Sequence, residues 1–175
     1  MGGNFPVQEC LSPMVDPVPF EARGRVFLVV VDDSPELRVA LRYASLRARR
    51  TGGRVALLHV MDPPDRQHWM ALESLMREEK RDEAEELVGR HADTVAALTG
   101  SPPVIHIREG VPHEQLLALI DEDPTISVLV LAAAVSDSGP GPLISALSNK
   151  LVGRLRVPLT IVPGSLSDTQ IDSLT

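Results

Sequence analysis

Val26-Phe27-Leu28-Val29-Val30-Val31 runs without a break into Asp32-Asp33-Ser34, and this junction constrains the fold more than any other stretch. A strand with one wet face alternates apolar and polar residues, whereas a strand apolar at every position has both faces covered. That is the pattern of a central parallel strand between two layers of helix. In open parallel sheets ligands bind just beyond the carboxyl ends of such strands. Two carboxylates and a hydroxyl therefore stand where a site is expected.

The chain on either side supplies the matching elements. Ser34-Pro35-Glu36 reads as a helix start, with Ser34 as N-cap and Pro35 at the first helical position. Leu37, Ala40, Leu41, Ala44 and Ala48 then form one apolar face, and Gly52-Gly53 stops the helix. Arg54 to Val60 is a second buried strand, followed by a loop at Met61-Asp62-Pro63-Pro64. From Gln67 to Leu98 the positions Trp69, Leu72, Met76, Ala84, Leu87, Val88, His91, Val95 and Leu98 keep a helical beat through a charged middle. Val104 to Glu109 alternates, which predicts an edge strand. After Gly110-Val111-Pro112 come a short helix, 113–120, and a fourth apolar strand, Ser127 to Leu131. A loop from Ala132 to Pro142 leads to a helix marked by Leu143, Ile144, Leu147 and Leu151 and ended by Gly153. Val157 to Val162 is the fifth strand.

Five strands alternating with four helices predict an α/β domain over 25–163, an open doubly wound (Rossmann-like) five-stranded parallel sheet of order 3-2-1-4-5 with helices on both faces. Strands one and four are then central neighbours, and their carboxyl ends face a common crevice. Residues 1–24, with Pro6, Pro13, Pro17 and Pro19, read as an extended arm, and 164–175 as a polar tail.

Composition removes several function classes. Acidic residues outnumber basic ones 24 to 17, a net charge of −7, which argues against nucleic acid as a partner. The imbalance is local: Glu36 to Arg50 carries five Arg and one acid, and 65–100 carries nine acids and five bases, read as two solvated helix faces. No apolar run reaches the ~20 residues of a membrane span, and the first residues lack the charged and apolar regions of a secretory signal. The single cysteine, Cys10, reads as an incidental thiol and fits a reducing, cytoplasmic setting.

Motif chemistry is equally restrictive. There is no Gly-x-x-x-x-Gly-Lys-Ser/Thr loop, no dinucleotide glycine fingerprint after the first strand and no Gly-x-Ser-x-Gly elbow. The five histidines show no metal-ligand spacing; His59 and His106, on neighbouring strands, read as a structural pair. Neither a catalytic constellation nor a metal site is predicted. Asp32-Asp33 resembles the metal-binding acid pair of response-regulator receiver domains. The phosphoacceptor strand of that family would fall on Arg77 to Glu83, a charged helix, and its Lys-Pro is replaced by Arg156-Val157-Pro158. The receiver reading fails.

A second resemblance covers nearly all of 25–163. Val31-Asp32-Asp33-Ser34-Pro35-Glu36 with Ala40, Leu41 and Ala44 resembles the opening block of the universal stress protein family. Leu57-Leu58-His59-Val60, Gly110-Val111-Pro112, Val128 to Leu131, Ser148-x-Lys150-Leu151 and Val157 to Val162 are similar to its later blocks in the same order. The resemblance implies a regulatory or binding module of the stress response, with ATP or another adenine nucleotide as the ligand of one branch. It places Asp32 at the adenine edge and the backbone of Val60 beside the base. Phosphates in that branch lie on a glycine loop, whose positions here are Ala132, Val135, Ser145 and Ala146. All four depart from the pattern, and Val135 adds bulk where a Cβ disfavours positive φ. Gly139 and Gly141, with the hydroxyls of Ser136, Ser138, Ser145 and Ser148, are the available replacements, and Ser34 beside Asp32 is a further candidate for nucleotide binding; the same Gly139-Pro140-Gly141-Pro142 run also reads as a plain turn. A different small anion in the crevice stays open. The resemblance further implies a homodimer through the fifth strand. Two alternatives remain beside this reading: a slow nucleotide-hydrolysing enzyme, and a dimeric protein-interaction module that binds no nucleotide.

Overall fold

The computed structural model describes residues 24–62, 70–135 and 139–175, with the side chains of 70–76, 149 and 150 left aside. The expectations for the N-terminal arm, Cys10, Pro63-Pro64, Trp69, Leu72, Met76, Ser136 and Ser138 lie outside these residues or side chains.

Five parallel strands form one sheet in the order β3-β2-β1-β4-β5, as the polarity of the sequence predicts. In chain order they are β1 (Val26–Val30), β2 (Arg54–Met61), β3 (Val104–Glu109), β4 (Ile126–Ala133) and β5 (Leu159–Pro163). The helices are α1 (Leu37–Thr51), α2 (Met70–Thr99), α3 (Pro112–Glu122), α4 (Pro142–Ala146) and α5 (Asp168–Leu174).

The continuous apolar run of β1 is explained by two cores. Phe27, Val29 and Val31 pack with Val39, Leu41 and Ala44 of α1 and Val88 and Val95 of α2, while Val26 and Leu28 pack with Leu116, Leu119 and Ile120 of α3 and Ile144 and Leu147. Alternate residues of the strand serve opposite faces. β2 and β4 divide in the same way: Leu57 and Val130 belong to the first core, Leu58 and Leu129 to the second.

Several local expectations shift. Helix α1 starts at Leu37 with Glu36 at its N-cap position, not with Ser34 as cap. The Ser34 amide donates to Asp32 Oδ1 at 3.0 Å and its carbonyl accepts from the Leu37 amide. An Asx turn thus consumes Ser34 before the helix begins. Gly52 ends α1 at φ 64, the left-handed turn that glycine adopts without strain. Helix α4 does not run smoothly to Gly153: it passes into a π-helical turn over Leu147–Leu151 and a 3-10 turn over Val152–Arg154.

His59 and His106 do not meet. Register pairs Leu58 with His106 and His59 with Ile107, so the two imidazoles leave opposite faces of the sheet. His106 Nε2 is buried with no hydrogen-bond partner among the described residues.

The segment read as a polar tail is helical. Ser167 Oγ accepts from the Gln170 amide and Gln170 Oε1 from the Ser167 amide, a complete capping box. Ile171 is fully buried in the first core, Arg38 pairs with Asp168, and Arg42 makes a two-pronged pair with Asp172 at 2.7 Å on each arm. These contacts lay α5 across α1. Among the described residues no helix is long and apolar enough to cross a membrane.

Candidate functional site

The β1 backbone delivers Asp32 and Asp33 past the end of the sheet, where α1 has not yet begun. Here a cavity of about 390 Å³ is walled by Val30, Val31, Val60, Pro112, Pro142, Leu143 and Ala146, with Asp32, Asp33, His59 and His113 as its polar members. A smaller recess of about 80 Å³ continues between β1 and β4, lined by Asp32, Ser34, Ala132 and Gly141 among others. Val30, Asp32, Pro142 and Leu143 border both spaces. The crevice between strands one and four is thus the narrow end, and the roomier part opens over β1 and β2.

Of the residues expected at the site, the structure brings Asp32 and Val60 to the larger cavity and Asp32, Ser34 and Gly141 to the smaller one. Gly139, Ser145 and Ser148 line neither. The Ser145 hydroxyl donates to the Gly141 carbonyl at 2.8 Å, a helix-internal bond that turns it away from the crevice. Ser148 is exposed in the π-helical turn.

The loop after β4 solves its backbone problem without the family's glycine positions. No residue other than glycine has positive φ among those described, whereas Gly139 and Gly141 stand at φ 99 and 104. The strain anticipated at Val135 is therefore absent. Its side chain is 63% exposed and its amide donates to Glu36 Oε1 at 3.3 Å.

Two side chains escape sequence reasoning: His59, on the larger cavity, and Glu36, which lines neither space. His59 Nδ1 lies 2.9 Å from the Val31 carbonyl; since a carbonyl only accepts, that nitrogen is the donor. The available signal was a lone polar ring near the carboxyl end of an otherwise apolar run in β2, which places it at the rim of the sheet. The other is Glu36, which bridges two segments far apart in sequence and leaves no local signal.

A second cavity of about 400 Å³ lies behind Asp33 and His59, against Lys80, Glu83, Glu86 and Arg90 of α2. His91, on the same helix, is held below the usual imidazole range by burial and by Arg90, with Asp33 and Asp32 opposing. Among the described residues no group of three or more His, Cys, Asp or Glu is placed to hold a metal ion.

This architecture has relatives. A profile of the universal stress protein family matches residues 24–163. The chain belongs to the universal stress protein family. It is similar to a universal stress protein of Mycobacterium tuberculosis, 27% identical over 139 residues, which cover 77% of this chain and 46% of that protein. The chain thus spans about half the length of the curated relatives it matches. Among solved structures, a universal stress protein from Lactobacillus plantarum superposes with a TM-score of 0.65 at 22% identity, covering 81% of this chain and 99% of that one. The universal stress protein from Archaeoglobus fulgidus in complex with dAMP superposes with a TM-score of 0.56 at 17% identity, covering 80% and 98%. At such identities the likeness speaks for the fold.

Proposed function

We propose that this universal stress protein is a regulatory binding module whose ligand carries an adenine ring, seated in the cavity past the end of β1. One observation carries the reading: Asp32 and Val60 stand on a single cavity whose other walls are largely aliphatic and proline side chains. A planar base fills such a space by apolar contact, and a carboxylate at its rim accepts from an exocyclic amine. Asp32 Oδ1 already holds the Ser34 amide, which fixes the carboxylate in orientation before any ligand arrives. The dAMP complex of the Archaeoglobus fulgidus relative supports an adenine ligand in this fold.

We read the module as a binder and not as a nucleotide hydrolase, because phosphoryl chemistry needs cations at the phosphates and, among the described residues, no Lys or Arg lines the two spaces. Universal stress proteins are commonly dimeric, and the β5 edge, with Ile161 41% exposed, is the surface through which we expect this chain to pair. The cytoplasm, where a lone cysteine stays reduced, is its expected setting.

Titration calorimetry of adenosine into nucleotide-stripped protein tests the reading. Saturable binding at one site per chain is expected. Heats indistinguishable from dilution at millimolar adenosine, AMP and ATP would remove it.

A further inference from the structure

Resting on that reading, we propose that His59 is a positioning residue: its imidazole stops the β1–β2 ladder at Val31 and so sets where Asp32 leaves the sheet. The register carries the argument. Val30 stands opposite Leu58, and one further step sets Val31 opposite His59. In a parallel ladder a residue's amide goes to the carbonyl before its opposite number, and its carbonyl to the amide after it. Val31 makes the first of these bonds, its amide donating to the Leu58 carbonyl at 2.7 Å. The second would bring the Val60 amide to the Val31 carbonyl. No backbone amide among the described residues takes that carbonyl; His59 Nδ1 donates to it instead, at 2.9 Å.

The consequence falls on the next residue. A carbonyl taken by the Val60 amide would keep the chain in the pleat, and Asp32 would continue along β1. A carbonyl taken by a side-chain ring needs no such continuation. The chain leaves the sheet at Asp32, whose carboxylate turns back onto the Ser34 amide at 3.0 Å. The Val31–Asp32 junction is thus held on both sides, by His59 at the carbonyl and by the Asx turn beyond it. A carboxylate fixed in this way loses little freedom when a ligand arrives.

Position and residue type agree with this role. Leu57 and Leu58 are fully buried, while His59 is half-buried at the rim and borders the same cavity as Asp32. An aliphatic side chain there would leave the Val31 carbonyl to water or to Val60, because it has no donor.

The test is a thermodynamic cycle on the intact chain. Adenosine is titrated into the wild type, His59→Phe, His59→Asn, Asp32→Ala and the His59→Phe/Asp32→Ala double variant, with Tm reporting that each fold is kept. Phenylalanine keeps the ring and loses the donor, whereas asparagine keeps an N–H near the place of Nδ1 and loses the ring. His59→Phe is expected to weaken adenosine about five- to tenfold, and His59→Asn to stay within about threefold of the wild type. On the already weaker Asp32→Ala background, His59→Phe should change affinity by less than about twofold, because no carboxylate is left to position. A ring with a general structural role would instead lower affinity by the same factor in both backgrounds. Independently of any variant, NMR of the imidazole nitrogens in the wild type, at a pH where the ring carries a single proton, should place that proton on Nδ1. The proposal is overturned by wild-type affinity in His59→Phe, by equal losses in the two backgrounds, by an asparagine variant as weak as the phenylalanine one, or by a proton on Nε2. Absence of adenosine binding by the wild type is a separate outcome, which sinks the adenine reading itself and the positioning role with it.

Discussion

His106 shows how a single side chain sets a property of the whole chain. Its Nε2 is buried without a partner among the described residues, and burial, reinforced by Arg108, holds the imidazole below its ordinary range while Asp123 and Glu122 oppose the shift. A histidine whose folded pKa lies below its unfolded value takes up its proton more readily when unfolded. Its contribution to stability is therefore present above the unfolded value of about 6.5 and is lost as pH falls through that value towards the folded one. His106→Leu fills the site with carbon, removes an unpaired nitrogen and is expected to stabilise by about 1 kcal/mol at pH 7. Chemical denaturation at several pH values should also show a shallower loss of stability between pH 7 and 5 than in the wild type. An unchanged slope would mean that His91 and the acidic groups govern that window. At this scale the sequence was partly legible. Asp32 and Val60 fall on the cavity because the end of a buried strand has one place to deliver its next residue. Ser145 does not, because its hydroxyl inside a helix finds the Gly141 carbonyl before it finds a ligand, and Ser148 does not, being exposed in the π-helical turn. The contact between Glu36 and the Val135 amide was invisible, since the two are 99 positions apart.

The elements were more legible than the residues where both faces are buried. β1, β2 and β4 announce themselves by unbroken apolar runs, and β3 by its alternation, with Ile105 and Glu109 exposed. Helix α5 was hidden by composition: 164–175 is polar overall, yet Ser167-x-x-Gln170 is a capping signature followed at once by the buried Ile171. The π-helical turn after α4 depends on packing and had no sequence signal. The β5 edge carries the element-scale prediction. Ile161→Lys places a charge on an exposed edge, a substitution that sheet edges tolerate and that blocks strand pairing. Light scattering is expected to give twice the 18.9 kDa chain mass for the wild type and the single mass for the variant. A variant that stays dimeric would move the interface elsewhere.

At the scale of the molecule, a parallel sheet with two covered faces leaves one productive place for a ligand, the rim where crossovers leave in opposite directions. β1 passes to β2 on one side and neighbours β4 on the other, and the cavity opens across that divide. The same geometry separates Asp32 from Asp33. Asp32 borders both the larger cavity and the narrow recess, whereas Asp33 borders the larger cavity and the space behind it against α2. The two acids are adjacent in sequence and both exposed, so a general electrostatic effect would treat them alike and base recognition would not. The most direct measurement is therefore adenosine affinity by calorimetry for the wild type, Asp32→Ala and Asp33→Ala. Asp32→Ala is expected to weaken binding at least tenfold, the loss of a hydrogen bond to a charged acceptor, while Asp33→Ala stays within about threefold of the wild type. Equal losses in the two variants, or a larger loss for Asp33→Ala, would contradict base recognition by Asp32.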